Sequence, residues 1–448
     1  MDDLDLRHPW SRSDRRIPRT VVRPLQEFLQ TSASSALLLF GAVVVALVWA
    51  NVGDTYEGFW GMTAAIRLGD TTLGTDVRFW VNDGLMTVFF LLVGIEIKRE
   101  LTTGELTNPR AAALPAIAAL GGMVAPALLY VAIVGGGEGA EGWGIPMATD
   151  IALALGALAL AASRAPSGLK PLLLTLAIVD DIGAILVIAL FYTDGGDPAF
   201  LVSALGTVAL IVLLQRIHVR AVVAYGLVGA LLWYATYRSG IHPTIAGVVL
   251  GLLTPSVPFQ RPAAVSAEAK RTADDTLDDP EPPDADAPQW LRLAWLSKEA
   301  VSPIARVEHD LLPWSSFMIV PMFALANAGV AVSWNAVTGA ATSAVGLGVF
   351  LGLVLGKPLG VMGASWLSAR ARIAHRPPDI TWTHMLGMGA TAGIGFTVAL
   401  FVAELAFEDQ HELLERAKVA ILAASAVALV VGQILFRLGR GAAQPPGS

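Results

Sequence analysis

The sequence has no cysteine among its 448 residues, which excludes disulfide frameworks, zinc–thiolate sites, iron–sulfur clusters and thiol nucleophiles together. It is also poor in charge. Asp, Glu, Lys and Arg make up 15% of the chain against 54% hydrophobic residues, where globular proteins have about 25% and 45–50%. Seven histidines are scattered over the whole length, so a His-rich metal site is not expected. Nor is there an excess of base to bind nucleic acid: 30 Lys and Arg stand against 37 Asp and Glu, a net charge of -7. Most of that deficit lies between Phe259 and Gln289, which hold eight acidic and three basic residues. A mean hydropathy of +0.61 points to lipid. The first thirty residues carry six arginines, four aspartates and no apolar run before Ser35, so they read as a cytoplasmic tail and not as a signal peptide.

What the sequence has is apolar runs. Crossing a hydrocarbon core of about 30 Å takes roughly 17–25 helical residues. Twelve candidates lie near 35–51, 79–97, 112–133, 145–162, 171–192, 200–215, 221–236, 241–257, 315–333, 342–366, 382–403 and 418–436. They predict an all-α integral membrane protein with twelve transmembrane helices. With the N-terminus placed inside, 24 of the 30 Lys and Arg fall on the cytoplasmic side, five (Arg67, Arg78, Arg238, Arg416, Lys418) fall opposite, and Lys357 lies within a run. That asymmetry satisfies the positive-inside rule and puts both termini in the cytoplasm. The domain plan is a tail over 1–34, a twelve-span domain over 35–436 and a second tail over 437–448. An acidic, proline-rich insertion over 258–290 is expected to be disordered, because it cannot bury apolar surface. On the outer side, Ala65 to Trp80 reads as two short strands around a Gly-Asp turn; its free edges could pair with a second copy, or it is an isolated turn.

Few ionisable residues sit inside the apolar runs: Asp83, Glu96, Asp150, Asp180, Asp181 and Lys357. Each costs about 2.5–3.5 kcal/mol on insertion scales, so such residues face a cavity or a partner and mark ion paths. Asp180 and Asp181, in A-I-V-D-D-I-G-A-I-L, fall near mid-depth. Adjacent helical residues point about 100° apart, so the two carboxylates should not share one role. Close enough to repel when both are ionised, they make proton uptake compete with cation binding. Lys357, in L-V-L-G-K-P-L-G, needs an anion at that depth, and one of the two aspartates is the natural partner; the competing reading is a lysine snorkelling to the surface. Asp150 follows Thr149 in G-I-P-M-A-T-D-I-A, and the eleventh run contains Gly387, Gly389, Gly393 and Gly395. Both runs should therefore be interrupted helices. Where two breaks meet, half-helix N-termini concentrate positive potential and C-termini negative potential, which Asp150 and Lys357 could balance.

Two motif matches carry nothing. G-M-G-A-T-A at Gly387 has no strand before it, and G-L-V-L-G-K-P at Gly352 is one residue short of a P-loop with proline in place of Ser or Thr. No cofactor is expected. An intramembrane aspartyl protease would need G-x-G-D and a second Asp on another helix, and this chain has an adjacent pair and no G-x-G-D, so no enzyme activity is expected. A passive cation channel is the nearer rival, since acidic rings also line pores.

In order along the chain stand W-V-N-D-G-L-M-T-V-F-F-L-L-V-G-I-E-I-K-R-E-L, M-A-T-D-I-A-L-A-L-G, A-I-V-D-D-I-G-A-I, F-A-L-A-N-A-G-V, G-K-P-L-G and G-I-G-F-T. With these motifs the chain, from about Ser35 to Phe436, resembles the NhaA-type sodium/proton antiporters. The resemblance implies twelve helices with an inverted-topology repeat relating spans 3–5 to spans 10–12, and two discontinuous crossing helices, the fourth and eleventh. It further implies homodimers joined partly through the outer hairpin and a multi-pass place in the bacterial inner membrane. It also implies Na+ or Li+ and protons as the transported ions, held by Asp180 and Asp181 with Asp181 the principal ligand, Asp180 paired with Lys357, and Thr149 and Asp150 at the helix crossing. A cytoplasmic pH-sensing cluster would map onto Glu96, Lys98, Arg99 and Glu308, with His309 nearby. The chain departs from the family pattern in the acidic insertion before Trp290 and in Leu312, which replaces a histidine; both lie near the proposed sensor.

Overall fold

The computed structural model of the chain describes residues 32–68, 71–161, 166, 168–193, 195–219, 221–278 and 287–439. The N-terminal tail up to residue 31, the Gly69–Asp70 turn, residues 279–286 of the acidic insertion and residues 440–448 of the C-terminal tail lie outside them.

In chain order come α1 (Ser32–Asn51), α2 (Thr55–Trp60), the antiparallel strands β1 (Ile66–Leu68) and β2 (Thr71–Leu73), α3 (Val77–Thr102) and α4 (Pro109–Val134). A 3-10 run, Ala140–Met147, precedes α5 (Ile151–Leu160), α6 (Leu169–Phe191), α7 (Pro198–Arg216), α8 (Val222–Arg238) and α9 (Thr244–Leu253). The link that follows holds α10 (Pro262–Asp278) and α11 (Ala287–Glu299) and leads to α12 (Pro303–Trp314) and α13 (Val320–Asn327). The chain closes with α14 (Trp334–Thr342), α15 (Ala344–Arg370), α16 (Trp382–Ala392), α17 (Phe396–Ala406) and α18 (His411–Leu438).

Among the described residues seven helices (α1, α3, α4, α6, α7, α15, α18) are long and apolar enough to cross a membrane, and up to nine do so if each bent pair is one span. The pairs are Ala140–Met147 with α5, bent by 42°, and α16 with α17, bent by 47°. The three other expected runs fall on shorter helices. α8 has 17 residues, α9 has 10, and the ninth run begins as a π turn, Ser315–Ile319, and continues in the eight-residue α13. The molecule is thus a mostly helical, multi-pass membrane protein.

The chain divides into two compact units. The first comprises Met1–Arg78, Ala113–Ala184 and Val320–Ser448. Here α16 packs on α15 and α18, α18 also meets α5, α14 and α17, and α1 lies against α5 and α13. Leu114, Leu173, Leu176, Val361, Met385, Met388 and Phe436 form a buried core. α4 and α15 touch backbone to backbone. A Cβ on Gly360 would stand 2.8 Å from the Gly121 carbonyl carbon, and one on Gly356 2.7 Å from Pro126 Cα. Small residues permit this approach, which is how helices pack where no hydrophobic force separates them from lipid. α15 also winds as a π turn over Gly352–Gly356 immediately before Lys357 and Pro358. Pro358 has no N–H to donate to the preceding turn, a defect such a turn accommodates.

The second unit comprises Phe79–Ala112 and Ile185–Ile319. α3 and α9 form its tightest pair, with Gly94, Gly247 and Gly251 at the contact. α7, α8 and α9 enclose Ala204, Ile211, Leu232, Ala235 and Ala246. α3 carries its own π turn, Trp80–Leu85, where the Trp233 indole donates to the Asp83 carbonyl at 2.8 Å. The Asp83 carboxylate stands 3.8 Å from His242.

The acidic insertion needs a correction in its described part. Its composition predicts disorder across 258–290, yet Pro262–Asp278 and Ala287–Glu299 are helical. Pro262 sits at the helix start, where its missing N–H costs nothing, and Ala263, Ala264, Ala267, Ala269 and Ala273 supply high intrinsic helix propensity. Glu268 then joins the two helices through Arg292 at 3.4 Å and holds Arg271 at 3.5 Å.

Candidate functional site

The two bends meet. Between Met147 and Ile151 the backbone is extended, and between α16 and α17 it passes through Gly393, Ile394 and Gly395. The Asp150 N–H donates to the Ile394 carbonyl at 2.7 Å, which ties one break to the other. The Asp150 carboxylate serves both helices beyond the breaks. Its Oδ1 accepts from the Leu153 N–H at 2.9 Å as the N-cap of α5, and its Oδ2 accepts from the Thr397 N–H at 3.2 Å and the Thr397 hydroxyl at 2.6 Å, at the start of α17. One carboxyl group therefore accepts from two helix N-termini, where the peptide dipoles favour negative charge.

The opposite ends carry the complementary chemistry. Lys357 Nζ donates to the carbonyl of Met147, the last residue of the 3-10 run, and to Asp180 Oδ2, with which it forms an ion pair. Thr149 Oγ1 lies 2.6 Å from the same Asp180 Oδ2 and 2.9 Å from the carbonyl of Ala392, the last residue of α16. Cationic and hydroxyl donors thus meet the carbonyl ends of the first half-helices, as Asp150 meets the amide ends of the second. All of these groups are buried: Asp180 and Lys357 are 0% exposed, Asp150 2% and Asp181 5%.

Asp180 and Asp181 differ as adjacent positions on a helix must. Asp180 takes Lys357 and Thr149 on one oxygen, and its Oδ1 has no hydrogen-bond partner among the described residues. Asp181 is close enough to Lys357 to act on it electrostatically, but the ion pair goes to Asp180. Snorkelling of Lys357 to the surface does not occur. The structure therefore brings Thr149, Asp150, Asp180, Asp181 and Lys357 into one cluster within the first unit.

The five sensor candidates lie in the second unit. Arg99 of α3 pairs with Glu308 of α12 and is close enough to act on the half-buried Glu96 one turn earlier. Lys98 is half-buried, and its carbonyl accepts from the Thr102 hydroxyl at 2.8 Å. His309 is exposed.

Two contributors escaped the sequence reading. Thr397 stands in the quoted G-I-G-F-T, but a threonine opening an apolar run is an ordinary residue; its Gly-rich approach was the one available signal. Lys418, counted with the outer loops, is buried within α18 and lies 2.8 Å from Glu404 of α17.

Apolar helices that bend where buried charges meet helix ends define a multi-pass membrane protein of the transporter class. A profile of the Na+/H+ antiporter 1 family matches residues 26–436. The Na(+)/H(+) antiporter NhaA of Oleidesulfovibrio alaskensis is 44% identical over 426 residues, 93% of this chain and 94% of its own. NhaA 2 of Myxococcus xanthus is 45% identical over 429 residues (94% and 90%), and NhaA of Koribacter versatilis 41% over 445 residues (98% and 97%). The chain belongs to the Na+/H+ antiporter 1 family.

Proposed function

We propose that the protein exports Na+ or Li+ in exchange for external protons by alternating access, with Asp181 and Asp180 as the ion-binding and proton-carrying groups. The observation that carries this reading is the engagement of Asp180 by Lys357 and Thr149 beside the separately placed Asp181. A cation reaching Asp181 competes with Lys357 for the charge of Asp180, and a proton on either carboxylate removes charge that the cation needs. The site then carries cation or protons, not both. Two carboxylates, or one carboxylate and a Lys357 released from Asp180, permit more protons than sodium ions per cycle, so the exchange is electrogenic.

On this reading the two bent pairs are single discontinuous spans that cross at their breaks. With the three shorter runs they complete twelve helices with inverted-topology repeats, placed in the inner membrane with both termini cytoplasmic. The Asp150–Ile394 and Lys357–Met147 contacts support the crossing. Homodimers form partly through the β1–β2 hairpin, and Glu96, Lys98, Arg99, Glu308 and His309 set the activating pH.

The test uses everted membrane vesicles from an antiporter-deficient host, acidified inside and followed with a pH-sensitive dye over a pH series. Added Na+ or Li+ should collapse the gradient and K+ should not, and Asp181→Asn should abolish the response. No response at any pH from well-inserted protein, or normal exchange by Asp181→Asn, would refute the assignment.

A further inference from the structure

The link between α9 and α12 carries a surface that ion exchange does not use. α11 has two apolar sides. Leu293 and Leu296 are half-buried, and Arg292 near them reaches Glu268 of α10 at 3.4 Å, so this side faces the rest of the link. At 100° per residue, Trp290, Leu291, Ala294, Trp295 and Lys298 fall on the other side. All five are exposed, Trp290 to 48%, Leu291 to 72% and Trp295 to 51%.

The helix is held firmly in that orientation. Buried Glu299, at its end, lies 3.3 Å from Arg306 of α12. The Glu299 carbonyl accepts from the Gln260 N–H at 3.0 Å, and the Ile304 N–H donates to the Pro255 carbonyl at 3.3 Å. Residues 300–302 alone separate α11 from α12, a reach of roughly 10 Å at most, and α12 continues through the π turn into the apolar α13. Exposed apolar side chains follow the same path: Val301, Leu312, Trp314 and Met318. The open face of α11 is therefore joined, along a short stretch of chain, to the exposed apolar side chains of α12 and the π turn. Two tryptophans and a leucine edged by a lysine are the composition of a helix lying in a membrane interface.

We propose that α11 is an interfacial anchor, with Trp290, Leu291 and Trp295 set into the headgroup–acyl boundary of the bilayer and Lys298 directed to the lipid phosphates. The anchor requires only the membrane-spanning fold, so it stands or falls independently of the ion chemistry. It also gives the acidic insertion a structural role, since α10 braces α11 from behind through Glu268 and Arg292.

Because the chain has no cysteine, one introduced thiol can carry a nitroxide spin label in the full-length protein in proteoliposomes. The probe is Leu291→Cys. Exposed Leu205→Cys on α7 is the lipid standard, and exposed Ser266→Cys on α10 is the aqueous standard. The ratio of collisions with oxygen to collisions with a water-soluble nickel chelate should shift for Leu291→Cys from the Ser266→Cys value to the Leu205→Cys side. A ratio equal to that of Ser266→Cys would overturn the anchor in favour of a solvated helix. Shielding from both reagents would overturn it in favour of a protein cover, and spin–spin broadening would then identify a second copy. As an independent check, Trp295→Phe should remove part of the tryptophan quenching by shallow brominated lipids; unchanged quenching would count against the anchor. Dequenching by Na+ is recorded separately, so loss of exchange and loss of anchoring are read apart.

Discussion

The charges at the two breaks and the charges shared by α3 and α12 are built on opposite plans. At the breaks Asp150, Asp180 and Lys357 are buried, Asp150 tied to the Leu153 and Thr397 amides, Lys357 to the Met147 carbonyl, and Asp180 to Lys357 and Thr149. Between α3 and α12, Arg99 is 42% exposed and meets a Glu308 that is 17% exposed, side chain to side chain. A charge of the first kind holds the backbone where no water can replace it, and removing one partner strands the other in a low dielectric. A charge of the second kind can give up its partner to solvent at small cost. The breaks should therefore resist substitution, while the α3–α12 pair should be adjustable.

The sharpest test removes one half of the buried pair. Lys357→Ala should cost about 3–5 kcal/mol, the range for leaving a buried charge uncompensated, read as a lowered unfolding temperature in detergent. Adding Asp180→Asn should recover part of that loss. Equal melting of the single and double variants would mean that Asp180 does not depend on Lys357, and the contrast between the regions would weaken.

Asp150→Ala comes next. It removes an N-cap, worth about 1 kcal/mol, and leaves Thr397 donors buried without an acceptor, at about 1–3 kcal/mol. Hydrogen exchange should accelerate at the Leu153 and Thr397 amides together, because one carboxylate holds both. Acceleration at Leu153 alone would mean that the two helix starts are secured separately.

A milder case of backbone anchoring is Tyr56. Its buried hydroxyl donates to the Leu325 carbonyl at 2.8 Å and accepts from the Gly329 N–H at 3.1 Å, and burial pushes the phenol up from its ordinary value. The folded value lies above the unfolded one, so this contribution is complete below about pH 10 and is lost as the pH rises beyond it. Tyr56→Phe should cost about 1–2 kcal/mol at neutral pH. Its stability should then fall less steeply than that of the unaltered protein above about pH 10. Parallel curves would show that the phenol does not contribute to the alkaline loss.

How much of this was legible in the sequence follows from whether the signal was local. Asp180, Asp181 and Lys357 stood out because charge in an apolar run is rare, and the breaks stood out because glycine and proline interrupt 145–162 and 382–403. Thr397 did not, because its partner Asp150 lies 247 residues away. Lys418 was mistaken for a loop residue because Glu404, which lets it be buried, belongs to another helix. In the insertion, the acids and prolines concealed an alanine-rich segment able to wind alone, and the contact of Glu268 with Arg292 joins residues on two helices.

The smallest effect is expected in the second region, and it decides whether the contrast holds. Arg99→Gln and Glu308→Gln should each lower stability by less than Lys357→Ala does, because the Arg99 side of the pair is open to solvent and screened there. On the proposed sensor role, either should displace the pH at which exchange switches on while leaving the rate at the optimum unchanged. The double variant should match the singles, because both remove the same interaction. Salt provides a control without mutation: at 1 M the screening length is about 3 Å, so the profile of the unaltered protein should move toward that of the variants, whereas the buried Lys357–Asp180 pair should not respond. A loss of maximal exchange in Arg99→Gln comparable to that in Lys357→Ala would place the α3–α12 pair with the breaks, as part of the machinery that moves ions.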